Sequence, residues 1–225
     1  MRLVILGGSG SGKSTQAQGL CRYFNIPLIS SDEILPDAIA LVSPESFPPE
    51  NPLPERSSEQ DAFGILGYQR RFASVLFPNL SHLDLSHLAR PYMETGELVP
   101  EEMIIEFIEI QLTKPDFNCG WVLEGYPRTA LQAEELDFLL DNLGHNLDWA
   151  IYLQVPQAVM VSRSMGRSLS DDQPEIVQRR VEIFYDRTVP ILEYYDRRRR
   201  LLTINGDQSP EVVQQNIVDL LSTPD

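Results

Sequence analysis

The stretch GGSGSGKSTQ, Gly7 to Gln16, sets four glycines, a lysine and several hydroxyls directly after the apolar run LVIL. Gly7 through Ser14 satisfy the spacing G-x-x-x-x-G-K-[ST]. Each part has a physical reason. Glycines let the backbone turn so that successive N–H groups point inward at a chain of phosphates. A helix starting at the end of the turn adds its positive N-terminus. Gly8, Ser9, Gly10, Ser11 and Gly12 supply the cradle. Lys13 adds a compact positive charge for the outer phosphates, and the Ser14 hydroxyl can ligate a divalent cation.

A second constellation lies in LEGYPRT, Leu123 to Thr129. A carboxylate, Glu124, closes an apolar run and is followed by Gly125, an aromatic, a proline and Arg128. At the carboxyl end of a core strand, Glu124 stands beside the glycine-rich loop, where it can hold a cation or the cation's water. Arg128, on a turn stiffened by Pro127, suits bidentate contact with a phosphate. Taken alone, an arginine there reads equally well as a surface salt-bridge partner. Arg163 and Arg167 are four residues apart, on one face of a helix, and Arg180 follows the short link SLSDDQ, where it can face them. The run Arg197 to Arg200 differs: it ends a helical pattern, and four adjacent residues share no face, so it reads as a solvated cap offsetting the dipole.

These side chains need a scaffold that delivers them to one edge. RLVIL, PLIS, GWVLEG, WAIYLQV and RLLTING read as short buried strands, aliphatic and β-branched, most of them stopped by turn residues. Between them lie helical patterns: KSTQAQGLCRYF with Ala17, Leu20, Cys21 and Phe24 on one face, then PEEMIIEFIEIQL, TALQAEELDFLLDNL, QAVMVSRSMGR, the long PEIVQRRVEIFYDRTVPILEYYDRRRR, and SPEVVQQNIVDLLS. Strands alternating with helices imply an α/β domain, a parallel sheet covered on both faces. The rhythm breaks from Pro36 to about Arg90, where five prolines fall from Pro44 to Pro54 before an apolar helical pattern returns in AFGILGYQRRFASVLF. This region is read as an insertion, its proline-rich part a long loop and a candidate protein-contact surface.

The formal charge of −15 argues against a nucleic-acid or anionic-membrane surface, since phosphate contacts require lysine and arginine. An anionic small ligand remains compatible if the few cations converge on one pocket. Cys21 and Cys119 have no metal or redox spacing and read as two buried thiols in a reducing compartment. LVIL is too short for a signal peptide and no run reaches membrane-spanning length, so the expected location is cytoplasmic.

Taken together, the motifs resemble the adenylate kinase branch of the nucleoside monophosphate kinases, over nearly the whole chain apart from the insertion. GGSGSGKSTQ is similar to that family's phosphate loop, including Thr15 and Gln16. ISSDEIL resembles the segment that opens the monophosphate site, and METGELVPEEMIIEFI the helices that close it, with Gly96, Leu98 and Val99 in place. GYPRT with Gln132 resembles the monophosphate-binding turn. VMVSRSMGR and DDQPEIVQRR resemble the helices flanking the lid, and INGDQSPEVV the final strand and helix.

The resemblance implies a single P-loop NTPase domain over residues 1–225, a three-layer fold on a five-stranded parallel sheet. It has an insertion at about 36–90, closing helices at about 91–114 and a minimal lid at about 167–172. It implies ATP as donor, a nucleoside monophosphate as acceptor, Mg²⁺ held by Ser14 and Glu124, and a monomer. Lys13, Arg128, Arg163, Arg167 and Arg180 would be catalytic. Gly8 through Thr15, Arg163 and Gln208 would form the ATP site, with Arg163 stacked on the adenine. Ser31, Gly125, Arg128 and Gln132 would hold the acceptor, Gln132 reading the edge of its base. Thr129, where pyrimidine-specific relatives tend to carry asparagine, favours AMP.

The chain departs from the family's pattern at four points. Pro36 and Leu169 stand where arginines are expected, Glu124 stands for an aspartate, and the lid between Arg167 and Asp171 shrinks to SLS. Losing a group that stabilises developing charge costs roughly 10²–10³ in rate, and a minimal lid excludes water less completely. Arg70, Arg71 or Arg90, in the inserted segment, are candidates to replace the arginine missing at Pro36. Two other classes therefore stay open: a kinase for a small hydroxyl acceptor, with Asp32 or Glu33 as base, and a nucleotide-binding regulator that has lost transfer.

Overall fold

A computed structural model describes residues 1–30, 101–166 and 174–222 of the chain. Five strands, β1 (Arg2–Leu6), β2 (Leu28–Ser30), β3 (Trp121–Glu124), β4 (Trp149–Gln154) and β5 (Leu201–Asn205), form one parallel sheet in the order β2-β3-β1-β4-β5. All five are the runs expected from the sequence. The chain leaves β1 toward β2 on one side and leaves β4 toward β5 on the other. Such a reversal of direction opens a crevice at the carboxyl ends of the strands. The register sets Ile5 and Ser30 on either side of Glu124, so that carboxylate ends its strand between two neighbours.

Seven helices among the described residues cover the sheet: α1 (Lys13–Phe24), α2 (Glu101–Leu112), α3 (Ala130–Asn142), α4 (Gln157–Met165), α5 (Pro174–Ile183), α6 (Val189–Arg197) and α7 (Pro210–Ser222). The period-two alternation of β1 divides the core. Val4 and Leu6 pack with Phe107 and Ile108 of α2, Ala133 and Leu136 of α3, and Ile191 and Tyr195 of α6. Leu3 and Ile5 pack on the opposite face with Ala17 and Leu20 of α1 and Val213 and Ile217 of α7. The arrangement is the three-layer α/β P-loop fold. The segment 36–90 expected as an insertion, the helical pattern expected within it and the expected lid at 167–172 lie outside the described residues.

Two expectations change. Cys119 is exposed rather than buried, because it falls in the loop that follows a 3₁₀ turn at Pro115–Phe117, and Cys21 on α1 is only half-buried. The arginine run is more than a solvated cap. Arg198 Nη1 does donate to the Tyr194 carbonyl near the end of α6 and its guanidinium lies 3.5 Å from the Tyr194 ring centroid. But Arg198 and Arg200 also face Asp137 of α3, at 3.6 and 3.7 Å, and the Tyr194 hydroxyl donates to the same carboxylate at 2.8 Å. No local pattern could indicate a partner on another helix.

The long helical pattern from Pro174 ends at Arg197, short of the expected Arg200, and is not uniform. A π-helical turn, Phe184–Thr188, joins α5 to α6 ahead of Pro190.

Burial, then the neighbouring Asp137 carboxylate, push the Tyr195 phenol well above its ordinary value. Burial, then the hydrogen bond to Asp137, do the same for Tyr194. Both groups hold their protons more tightly when folded, so their contribution is complete below about pH 10 and is lost as pH rises beyond it. The Tyr195 hydroxyl has no hydrogen-bond partner among the described residues. Tyr195→Phe should therefore leave stability at pH 8 unchanged or slightly higher, and should flatten the alkaline decline. Urea midpoints at pH 8 and pH 11 check both parts.

Candidate active site

The loop from Gly7 to Gly12 joins the end of β1 to the start of α1 at the carboxyl edge of the sheet. Gly12 stands at the N-cap of α1 with φ 96°, and the Gln16 N–H donates to its carbonyl at 3.1 Å, starting the helix. The Ser11 N–H closes a turn onto the Gly8 carbonyl at 3.1 Å. Lys13 Nζ donates to the same carbonyl at 3.0 Å, so the ammonium lies across the hollow of the loop. Gln16 Nε2 donates to the Pro210 carbonyl at 3.0 Å, tying the first turn of α1 to α7.

Helix α4 packs directly on this loop. A Cβ at Gly10 would collide with the Met160 carbonyl oxygen and stand 2.8 Å from Ser164 Oγ, and Gly10 also has φ +80°. A Cβ at Gly8 would meet Met160 Sδ at 2.6 Å. The Ser164 hydroxyl, fully buried, donates to Ser9 Oγ at 3.1 Å. The glycine pattern thus serves two ends: the turn itself, and close approach of a helix from behind it. Gly12 differs, because a Cβ there would meet nothing within 4 Å.

Ser14 and Glu124, expected as a metal-holding pair, come together. The Ser14 hydroxyl donates to Glu124 Oε1 at 2.5 Å, and Glu124 is only 2% exposed. A hydroxyl and a carboxylate form an all-oxygen donor set, which fits a hard cation such as Mg²⁺. Among the described residues no group of three His, Cys, Asp or Glu side chains could hold a metal by itself.

The GYPRT turn follows β3. The Arg128 N–H donates to Gln132 Oε1 at 2.7 Å, Arg128 Nε donates to the Gly125 carbonyl at 2.6 Å, and the Thr188 hydroxyl donates to the Arg128 carbonyl at 3.1 Å. Thr129 caps α3 by accepting from the Gln132 N–H at 3.2 Å, and the Tyr126 hydroxyl donates to the Gln132 carbonyl at 2.9 Å. Gln132 is 2% exposed, so in this arrangement its side chain braces the turn. The π-helical turn carrying Thr188 takes part in holding Arg128, a role that nothing in the local sequence announced.

Arg163, on α4, donates through Nη1 to the Gly206 carbonyl at 3.0 Å and through Nη2 to Asp207 Oδ1 at 3.1 Å. Arg180 is half-buried on α5, which packs against α4. Thr15 is exposed in the first turn of α1. Gln208 is exposed just beyond Asp207 and accepts from Asn216 Nδ2 at 3.0 Å. Ser31 and Arg167 lie outside the described residues, as do Pro36 and Leu169. Sequence reasoning missed Asp207, Thr188 and Ser164. The only available signal was a carboxylate two residues past the end of β5.

A glycine loop between strand and helix, a lysine across it, and a hydroxyl–carboxylate pair beside it define a P-loop phosphate-binding protein. Comparison with known proteins narrows the class. The family model for adenylate kinase matches residues 81–200. The chain is 62% identical to adenylate kinase 2 of Nostoc sp. over 98% of each chain, and 45% identical to adenylate kinase 2 of Synechocystis sp. over 95% of each. It is 34% identical to adenylate kinase 1 of Nostoc sp. over 96% of each. The chain belongs to the adenylate kinase family, and with it to the nucleoside monophosphate kinases, which are phosphotransferases. Of the classes the sequence left open, this is the one sustained.

The packing of α4 on the loop gives an ordering. Gly12→Ala should weaken ATP binding modestly, through backbone strain of about 1–2 kcal/mol. Gly10→Ala adds a collision with backbone and should weaken it much further. Calorimetric titration of both variants with ATP checks the order. Equal losses would mean that α4 does not constrain the loop.

Proposed function

We propose that the protein transfers the γ-phosphoryl group of Mg-ATP to AMP, giving two molecules of ADP. The observation that carries this reading is the Ser14–Glu124 contact, which joins residues 110 apart in sequence beside a glycine loop with Lys13 across it. The family membership supports the same reaction, as do the names of the relatives.

The β- and γ-phosphates lie in the loop, where backbone N–H groups and the positive end of α1 meet their charge. Lys13 exchanges its bond to the Gly8 carbonyl for one to a phosphate oxygen. Ser14 and Glu124 would hold Mg²⁺, which would supply neutralisation of phosphate charge when bound. Arg128, its Nε fixed on the Gly125 carbonyl, turns its remaining guanidinium donors to the acceptor phosphate. Ser31 and Gln132 contact the acceptor base beside Gly125. Arg163 stacks on the donor adenine, and Gln208 completes that end of the site. Arg167 and Arg180 converge on the transferring phosphoryl.

An oxygen of the acceptor phosphate forms the new bond to the γ-phosphorus as the bond to the β,γ-bridging oxygen breaks, and ADP leaves. The attacking oxygen is already anionic, so no general base is needed. The protein aligns two anions and stabilises the charge between them. The lid at 167–172 and the closing helices at about 91–114 exclude water around the pair, while the insertion at 36–90 is a contact surface or a source of the arginine missing at Pro36. No described helix is long and apolar enough to cross a membrane. A cytoplasmic monomer is the state we propose.

Mg-ATP turnover against AMP, GMP, CMP and UMP tests the reading. AMP should be the preferred acceptor, and Arg128→Ala should lower kcat/KM for it by roughly 10²–10³. Preference for another base would correct the specificity. ATP binding without transfer to any monophosphate would overturn the function.

A further inference from the structure

The ion pair between Arg163 and Asp207 is not explained by stability. Their side chains are 37% and 42% exposed, and exposed pairs contribute little against the entropy of holding an arginine still. What the contact fixes is direction. Arg163 is held at two points along one edge of its guanidinium, by the Gly206 carbonyl and by Asp207 Oδ1.

Both anchors are themselves fixed. Gly206 is buried and its N–H donates to the Gln154 carbonyl at the end of β4, at 2.9 Å. A Cβ at Gly206 would meet Val155 Cγ2 at 2.7 Å, so the turn sits tightly on the sheet. The Asp207 N–H donates to Asn205 Oδ1 at 3.0 Å, which holds the short turn carrying the carboxylate. Two in-plane bonds to such anchors set the plane of a rigid guanidinium and leave its faces for stacking.

We propose that Asp207 is a positioning residue for the donor base: it orients Arg163 so that the guanidinium face meets the purine of the bound nucleoside triphosphate. The proposal rests on the reading that Arg163 stacks on that base. A planar cation anchored by its edge attracts an aromatic face and discriminates by the shape of the ring it covers. Asp207 touches no substrate and acts through Arg163 alone. Loss of its carboxylate lets the guanidinium swing about the remaining bond to Gly206, lowering the fraction of enzyme ready to accept the base.

The test measures kcat and KM for ATP, KM for the acceptor, and the ratio of kcat/KM for ATP to that for CTP, whose base is a smaller ring. It compares the full-length wild type with Asp207→Ala, Asp207→Asn, Arg163→Ala and the Asp207→Ala/Arg163→Ala double variant. Asp207→Ala should raise KM for ATP about three- to fivefold, with kcat and acceptor KM within about twofold and the ATP-to-CTP ratio reduced. Asp207→Asn, which keeps an oxygen acceptor in place, should restore most of the loss. In the Arg163→Ala background, Asp207→Ala should add nothing.

Unchanged ATP kinetics in Asp207→Ala, beside a raised KM in Arg163→Ala, would overturn the positioning role and leave the stacking reading intact. An equal effect of Asp207→Ala in both backgrounds would also overturn it. Unchanged KM for ATP in Arg163→Ala would remove the stacking reading itself, and the proposal with it.

Discussion

The structure turns on one constraint: a glycine loop at the sheet edge must hold its turn while helix α4 packs directly against it. Gly10 meets it by adopting φ +80° and by leaving room for the Met160 carbonyl. Everything near the loop follows from keeping it in that shape. Strand β1 delivers its first residue from the centre of the sheet, α1 begins at its last, and Lys13 spans it through the Gly8 carbonyl. The Ser164–Ser9 hydrogen bond couples α4 to the loop, and α4 also carries Arg163. A displacement of the loop therefore reaches the arginine side of the cleft through packed atoms rather than through solvent.

The GYPRT turn is built by a different device. Hydrogen bonds hold Arg128 there: the Gly125 carbonyl accepts from it within the turn, Gln132 accepts from it at the start of α3, and Thr188 donates to it from the π-helical turn between α5 and α6. A rigid arginine serves phosphoryl transfer better than a mobile one, because alignment of the two anions accounts for much of the barrier reduction. The strongly acidic chain leaves few cations to do this work, and the structure holds Arg128 and Arg163 each by more than one bond.

Much of this was legible in the sequence because it is written locally. The five strands are short aliphatic runs, mostly bounded by turn residues, and the face of α1 with Ala17, Leu20, Cys21 and Phe24 packs as its spacing requires. Ser14 and Glu124 could be paired in advance because parallel-sheet topology brings strand ends to one edge. What stayed hidden depends on partners far apart in the chain. Asp137 gathers Tyr194, Arg198 and Arg200 from another helix, and Asp207 meets Arg163 across two elements. The π-helical turn was hidden for a related reason. The hydrophobic period runs through Phe184–Thr188 unbroken, and only the hydrogen-bond pattern reveals the wider turn that brings Thr188 to Arg128.

The proposed reaction is direct transfer between two nucleotides held at once, one in the glycine loop and one at the GYPRT turn. The most direct measurement is the initial rate of ADP formation with ATP and AMP varied against each other over a grid of concentrations. Double-reciprocal lines should intersect, because both substrates must be bound before the phosphoryl group moves. Parallel lines would contradict it, since they require a phosphorylated enzyme formed before the acceptor arrives.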